Sequence, residues 1–172
     1  MVLEKAVTFA SNFHEGQKRK YNDKPYIIHP IRVAFILASV LQDTNTIAAG
    51  ILHDVIEDTE ATEELVLKEF GPLITKFVMD VSDHVFDGMG NRAKRKQLYK
   101  EQILKSNPPS KSVKLADILD NAQSIIEHDP GFAKVWMAEK QDLLPCLSDG
   151  HPQLYLRVST LIHNYYNKPK EK

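Results

Sequence analysis

One cysteine in 172 residues, Cys146, cannot close an internal disulfide, so nothing here depends on an oxidising compartment. Long apolar runs are missing too. The opening stretch MVLEKAVTFASNF carries Glu4 within what would have to be an apolar segment, so it reads as neither signal peptide nor membrane span. Net charge is −1, which leaves no global field to draw the chain to nucleic acid or to a membrane surface. No stretch alternates with the period of a strand, and there is no internal repeat; only the closing KPKEK reads as a flexible tail. These absences predict a soluble, cytoplasmic protein with one domain over residues 1–172, all-α, a bundle of about eight helices.

What is present is organised around Ile47 to Thr59, IAAGILHDVIEDT. Its first half is apolar and predicts a buried helix. His53, Asp54, Glu57 and Asp58 then arrive within two turns. On one continuous helix, His53 and Glu57 are spaced i, i+4, as are Asp54 and Asp58, so two polar rows project from an apolar element. Carboxylates that close repel each other, and burying them unpaired is unfavourable. A cation resolves the conflict; the alternative is a helix end that simply surfaces into water. The cluster favours a metal site, whose remaining ligands must come from elsewhere in the chain.

Two candidates stand out. His29 precedes Pro30 at the start of a helix predicted over Ile31 to Leu41, because proline is tolerated in a first helical turn; a lone histidine there is more often a cap or core residue, and it gains weight only as a partner for His53-Asp54. Asp117 falls in the apolar face of a later helix with Val113, Leu115, Ala116 and Leu119, where a lone carboxylate must be paired or ligating. Lys114 is its alternative partner. Asn121 lies one turn on and shares the Asp117 face. Before these comes the loop QKRKYNDKPYIIHP, turning at Asn22-Asp23, with Lys18, Arg19, Lys20 and Lys24 crowded into it. Such charges are ordinarily solvated, but arginine can also stack on a flat ring or pair with phosphate.

Elsewhere the chain reads as packing and punctuation. A helix is predicted over Val2 to Gln17. Thr59 or Thr62 caps one that Gly71 stops and Pro72 restarts, and His84 to Gly90 reads as a mobile loop, its closure over a site left open. Asn91 to Lys105 is a polar helix whose Arg92 to Lys96 run is mostly solvated, with a minority of those cations available to the far phosphates of a substrate. Pro108 and Pro109 break the chain before a helix capped by Ser110 or Ser112. Asp129-Pro130-Gly131 is a turn, and helices over Ala133 to Cys146 and Pro152 to Asn167 pack the core.

The order His29, His53-Asp54, Asp117 resembles the H…HD…D signature of the HD-domain phosphohydrolases. HD alone is two letters and carries nothing. HEGQKRK…KPYIIHP, ILHDVIEDT, Phe70-Gly71 and VKLADILDNAQSI narrow the likeness to the hydrolase region of the RelA/SpoT proteins. It extends to about Ile126 and more loosely beyond. With no synthetase or regulatory region following, the chain looks most like the stand-alone small alarmone hydrolases. The resemblance implies one divalent metal, usually manganese, held by His29, His53, Asp54 and Asp117. It implies an acid–base pair, Glu57 and Asp58, base contacts from Arg19 and Lys20, and a ribose contact from Asn121. The implied reaction removes the 3′-pyrophosphate from guanosine tetra- or pentaphosphate, giving GDP or GTP. The implied partner is a small nucleotide and neither nucleic acid nor membrane; oligomeric state stays open.

Departures bear on the base. Asp120 stands where the family has His or Tyr, Gln123 where it has Arg, and Val81-Ser82-Asp83 where it has a Val-Thr-Lys-like run. Each change removes positive charge near the expected nucleotide, which opens the door to adenosine alarmones. Two other readings compete. A general HD-type nucleotidase or phosphodiesterase would share the ligands and turn over mononucleotides. A non-catalytic alarmone sensor would bind without turnover, but it has no need of Glu57 and Asp58.

Overall fold

A computed structural model describes residues 1–41, 43–83 and 86–167. Among these the chain is helical, in the order α1 (Val2–Phe13), α2 (Ile28–Ala38), α3 (Thr44–Leu52), α4 (Val55–Asp58), α5 (Glu63–Val81), α6 (Arg92–Lys105), α7 (Pro108–His128), α8 (Pro130–Leu143), a 3-10 turn over Leu144–Leu147, and α9 (Pro152–Asn167). The fold is the expected all-α bundle. Sheet-like pairing among the described residues is limited to an isolated bridge between Lys18 and Pro25. His84, Val85 and the KPKEK tail lie outside the described residues, so the loop expected over His84 to Gly90 is described only from Phe86 to Gly90.

α3 is the hub, and its sequence explains why. Every residue from Thr46 to Leu52 is buried, as expected of a helix apolar all round. Asp43 caps it, accepting from the Asn45 and Thr46 amides at 3.2 and 3.1 Å. α3 packs against α1, α2, α5 and α7, and α7 packs in turn against α2, α5, α8 and α9. α2 and α3 approach closely at Gly50, where an added Cβ would run into Leu37 Cδ1 and crowd Val33. Gly50→Val therefore lowers stability by about 2 kcal/mol, since overpacking outweighs any helix propensity gained. An unchanged denaturant midpoint would contradict this packing.

Several boundaries differ from the sequence reading, each for a local reason. The stretch Ile47 to Thr59 is two helices. His53 closes α3 and Asp54 stands between α3 and α4. The His53 ring donates from Nδ1 to the Gly50 carbonyl at 2.8 Å, the acceptor that the Asp54 amide would need for a further turn. The His53–Glu57 row is therefore interrupted, whereas Asp54 and Asp58 keep theirs across α4, with the Asp58 amide on the Asp54 carbonyl at 2.8 Å. α1 stops at Phe13, and α2 starts at Ile28, so His29 lies within its first turn. Gly71, at φ 78°, kinks α5 ahead of Pro72, and Thr62 caps its first half. α7 is capped by Asn107, which accepts from the Ser110 amide at 2.9 Å, and Pro108 and Pro109 occupy its first turn instead of breaking the chain. Ser110 Oγ bonds Asp80 and Asn107 instead of capping. Asp129 caps α8, which begins at Pro130 and not after a free turn.

Candidate active site

The α2 start, the α3–α4 junction and the middle of α7 meet in the interior, and each brings predicted ligands. His29, His53 and Asp117 are buried, and Asp54 is nearly so. One ligating atom each from His29, His53 and Asp54 lies within 4.8 Å of the others. Asp117 Oδ1 joins them, 3.4 Å from His29 Nε2 and 3.7 Å from His53 Nε2. Asp54 completes the ring, with Oδ2 3.3 Å from His29 Nε2 and Oδ1 3.1 Å from His53 Nε2.

These separations suit a shared cation. Ligands on adjacent corners around an ion with bonds of roughly 2.1 Å sit about 3 Å apart. The tautomers agree. His53 Nδ1 donates to the Gly50 carbonyl, which leaves Nε2 as a lone pair facing the carboxylates, and that nitrogen is buried without a hydrogen-bond partner. His29 Nδ1 donates to Asp120 Oδ2 at 2.7 Å, turning its own Nε2 inward. The field agrees as well. Burial alone would lower the His29 pKa, yet Asp117, Asp120 and Asp54 outweigh it and raise it well above its usual range. Burial likewise opposes the ionised Asp54 and Asp117. The imidazoles hold Asp54 low, and Lys114 with the imidazoles holds Asp117 low. A site this negative favours a cation, and mixed imidazole and carboxylate donors suit manganese, iron or zinc.

Sequence reasoning left Asp120 as a missing positive charge near the nucleotide. The structure puts its carboxylate behind a metal-facing imidazole, the arrangement that orients a ligand and raises its basicity. Gln123, the other departure on this helix, is exposed. Asp120→Ala lowers metal affinity by about 10- to 100-fold with the fold intact. Chelator competition measures this; unchanged affinity would leave Asp120 a bystander.

Lys114 satisfies the alternative reading of Asp117 without excluding the first. Its ammonium meets Asp117 Oδ2 at 2.9 Å while Oδ1 faces the imidazoles. Asn121 Nδ2 also donates to Asp117 Oδ1, at 2.5 Å, and Arg19 Nη2 donates to Asn121 Oδ1 at 2.8 Å. One hydrogen-bond chain thus runs from the basic loop to the ligand cluster. Arg19, Lys20, Tyr21, Tyr26, Asn121 and Phe132 line a cavity of about 270 Å³. The loop is held by pairing across it, with the Arg19 amide on the Lys24 carbonyl at 2.8 Å and Asp23 at φ 53° in the turn. Arg19 lies 5.8 Å from the Tyr26 ring centre. Lys20 stands at the outer rim, exposed, 3.7 Å from Asp129.

Glu57 and Asp58 have different partners, as expected of residues on two rows. Glu57 Oε2 accepts from the Asp83 amide at 3.2 Å. Surrounding protein desolvates the Glu57 carboxyl and pushes it up to about 8 against the pull of Lys114, and Asp83 and Asp54 add to the push. Asp58 is raised by desolvation and by Asp54. Tyr26, which the sequence reading passed over as a loop residue, joins Asp58 to Asp54: its hydroxyl is 2.7 Å from Asp54 Oδ2 and 2.8 Å from Asp58 Oδ2. With one proton to give, it serves one carboxylate at a time. Gln17 anchors the end of α4 by donating to the Asp58 carbonyl at 2.7 Å, and accepts from His14. Both catalytic candidates line an open cleft. Of the Arg92 to Lys96 run, Arg92 is tied to Glu139 and Arg95 to the Gly90 carbonyl. Lys96 meets Asp83 at 2.8 Å, and so reaches the Glu57 side of the site.

A family model described as HD domain matches residues 6–143. The Drosophila melanogaster guanosine-3′,5′-bis(diphosphate) 3′-pyrophosphohydrolase MESH1 is 36% identical over 137 residues, 78% of this chain and 73% of that one. The human MESH1 is 39% identical over 126 residues, 72% of this chain and 69% of its own. A Streptomyces coelicolor GTP pyrophosphokinase is 38% identical over 124 residues, but those make up only 14% of its length. The solved structure of a metazoan SpoT ortholog, described as hydrolysing ppGpp, superposes with a TM-score of 0.85 at 29% identity and covers 95% of each chain. Among the described residues no helix is long and apolar enough to cross a membrane. With most of its length matched by that model and by MESH1, the chain belongs to the HD domain family, in the company of the ppGpp 3′-pyrophosphohydrolases.

Proposed function

We propose that this chain hydrolyses the 3′-pyrophosphate of guanosine tetra- and pentaphosphate to GDP or GTP and pyrophosphate, using one divalent ion, manganese, at His29, His53, Asp54 and Asp117. The observation that carries this reading is the continuous link Arg19–Asn121–Asp117, which ties a cavity able to take a flat base to a carboxylate of the ligand cluster. A general nucleotidase would have no use for that link.

The bound ion would supply Lewis acidity and an acidified water. The chain's own residues do the rest. Arg19 stacks on the purine and Asn121 holds the ribose, so the 3′-substituent is directed at the ligand cluster. Lys20, at the rim, offsets phosphate charge. Glu57 and Asp58 orient the attacking water and carry its proton. A carboxyl raised toward neutrality suits such work better than an ordinary one. Attack at the phosphorus next to the ribose breaks the 3′-oxygen–phosphorus bond, and pyrophosphate departs intact. Recognition by stacking between Arg19 and the aromatic rings of Tyr21 and Phe132 tolerates either purine, so adenosine 3′-pyrophosphates are accepted as well. Cys146 without a disulfide partner fits a reducing, cytoplasmic setting.

Chromatography of the products tests the reaction type. GDP and intact pyrophosphate are expected from guanosine tetraphosphate. Stepwise appearance of orthophosphate with a 3′-monophosphate intermediate would replace this reading with a phosphatase.

A further inference from the structure

Three lysines from three helices gather around Tyr99, and one of them, Lys114, stands on the Oδ2 side of Asp117. Lys96 on α6 and Lys114 on α7 place their ammonium groups 5.7 and 5.4 Å from the centre of the Tyr99 ring. Tyr99 is buried, and its hydroxyl donates to the Val81 carbonyl at 2.8 Å, so the ring is a fixed floor. Lys140 on α8 shares a small cavity, about 40 Å³, with Lys96 and Tyr99 and with two carboxylates already paired elsewhere, Glu139 on Arg92 and Asp142 on Lys100.

Two of the three cations are already answered. Lys96 pairs with Asp83 at 2.8 Å and Lys114 with Asp117 at 2.9 Å. Lys140 has no carboxylate within 4.0 Å among the described residues; its ammonium lies 5.2 Å from the Trp136 ring centre. Burial drops the Lys140 amine to about 8, and Lys114 next to it adds to the drop. An ammonium desolvated beside two others is an unfavourable arrangement unless an anion joins it.

The position of the cluster says which anion. Asp117 Oδ1 faces the imidazoles and Asn121, while Oδ2 faces Lys114. If base and ribose occupy the Arg19 and Asn121 side and the scissile phosphorus lies at the ligands, the group beyond it continues toward the lysines. We propose that Lys140, with Lys96 and Lys114, binds the distal phosphate of the substrate's 3′-pyrophosphate and so sets the preference for a pyrophosphate over a monophosphate at that position. The assignment rests on the 3′-pyrophosphohydrolase reading given above and adds to it a specificity-determining residue.

Calorimetric titration separates the possibilities. Guanosine 5′-diphosphate 3′-diphosphate and its 3′-monophosphate counterpart are titrated into manganese-loaded protein carrying Glu57→Gln, so that the substrate survives, with and without Lys140→Met or Lys140→Arg. Lys140→Met weakens the 3′-diphosphate by about 10- to 100-fold, the range for a lost bond to a charged group. It leaves the 3′-monophosphate nearly unchanged, and Lys140→Arg recovers most of the loss. The Lys140→Met protein unfolds at a temperature no lower than its parent, since an unpaired charge has been removed from poorly solvated surroundings. Equal weakening of both nucleotides, or of neither, overturns the distal-phosphate assignment. Turnover of the 3′-pyrophosphate by wild type is followed in parallel. Turnover with either of those patterns sinks the subsite alone, whereas a wild type that neither binds nor cleaves the 3′-diphosphate sinks the hydrolase reading and the subsite with it.

Discussion

Asp54→Ala gives a folded protein that neither retains a divalent ion nor turns over substrate. Asp54 is the one carboxylate that reaches both imidazoles through separate oxygens, at 3.3 Å and 3.1 Å. Removing it takes two contacts from the cluster at once and leaves the buried, unpartnered His53 Nε2 facing only Asp117, 3.7 Å away. Loss of an outer partner of a ligand weakens metal affinity by about 10- to 100-fold, so loss of a ligand itself exceeds about 100-fold. Metal content after gel filtration and turnover in excess manganese are the readouts. The fold survives because the junction between α3 and α4 is held independently, by His53 on the Gly50 carbonyl and by Gln17 on the Asp58 carbonyl. A variant that kept both ion and activity would remove Asp54 from the site.

Glu57→Gln has the opposite signature: full metal content with turnover lowered by about 10²–10⁴-fold, the usual range for a lost acid–base group. Glutamine preserves size and still accepts from the Asp83 amide, so the neighbouring geometry is retained. What it cannot do is exchange a proton. Glu57 bonds none of the four metal-ligand candidates directly, which is why the ion stays. Ordinary turnover in this variant would take Glu57 out of the mechanism and leave the proton work to Asp58 with Tyr26.

How much of this was legible in the sequence depends on what carried each signal. His53, Asp54 and Asp117 are legible because each is a polar residue beside an apolar helical run, and burial without a partner is unfavourable enough to demand an explanation; His29 gains weight only as their partner, and the full set of four rests on the family resemblance. The structure brings all four together. The His53–Glu57 row is broken between α3 and α4, while the Asp54–Asp58 row survives as the turn of α4. The helix ends at His53 because that side chain takes a backbone carbonyl, a competition that hydrophobic periodicity does not register. Tyr26 and Asp120 were passed over for a different reason. Tyr26 reaches Asp54 and Asp58 across 28 and 32 residues, and Asp120 reaches His29 across 91. Neither stands out in its own segment; each acquires a role only from a residue distant in the chain. The caps failed likewise by a few positions. Asn107 and Asp129 were available as capping types, but prolines next to them read as breaks when they are first-turn residues.

Lys140 is the extreme case. In the sequence it belongs to a helix that offers only packing and ordinary surface charge. Its lack of an ion pair among the described residues, and the company of Lys96 and Lys114, are properties of three helices taken together.

The central claim is that a metal-bearing cluster and a base cavity, joined through Asn121, act on nucleotide 3′-pyrophosphates. The most direct test is turnover by purified, manganese-loaded protein of guanosine and adenosine 3′-pyrophosphates beside ordinary mononucleotides, with pyrophosphate and orthophosphate followed separately. Pyrophosphate from the 3′-pyrophosphates, and nothing from the mononucleotides, is the predicted result. Orthophosphate from the mononucleotides, or no turnover of any nucleotide with the metal verified in place, would contradict it.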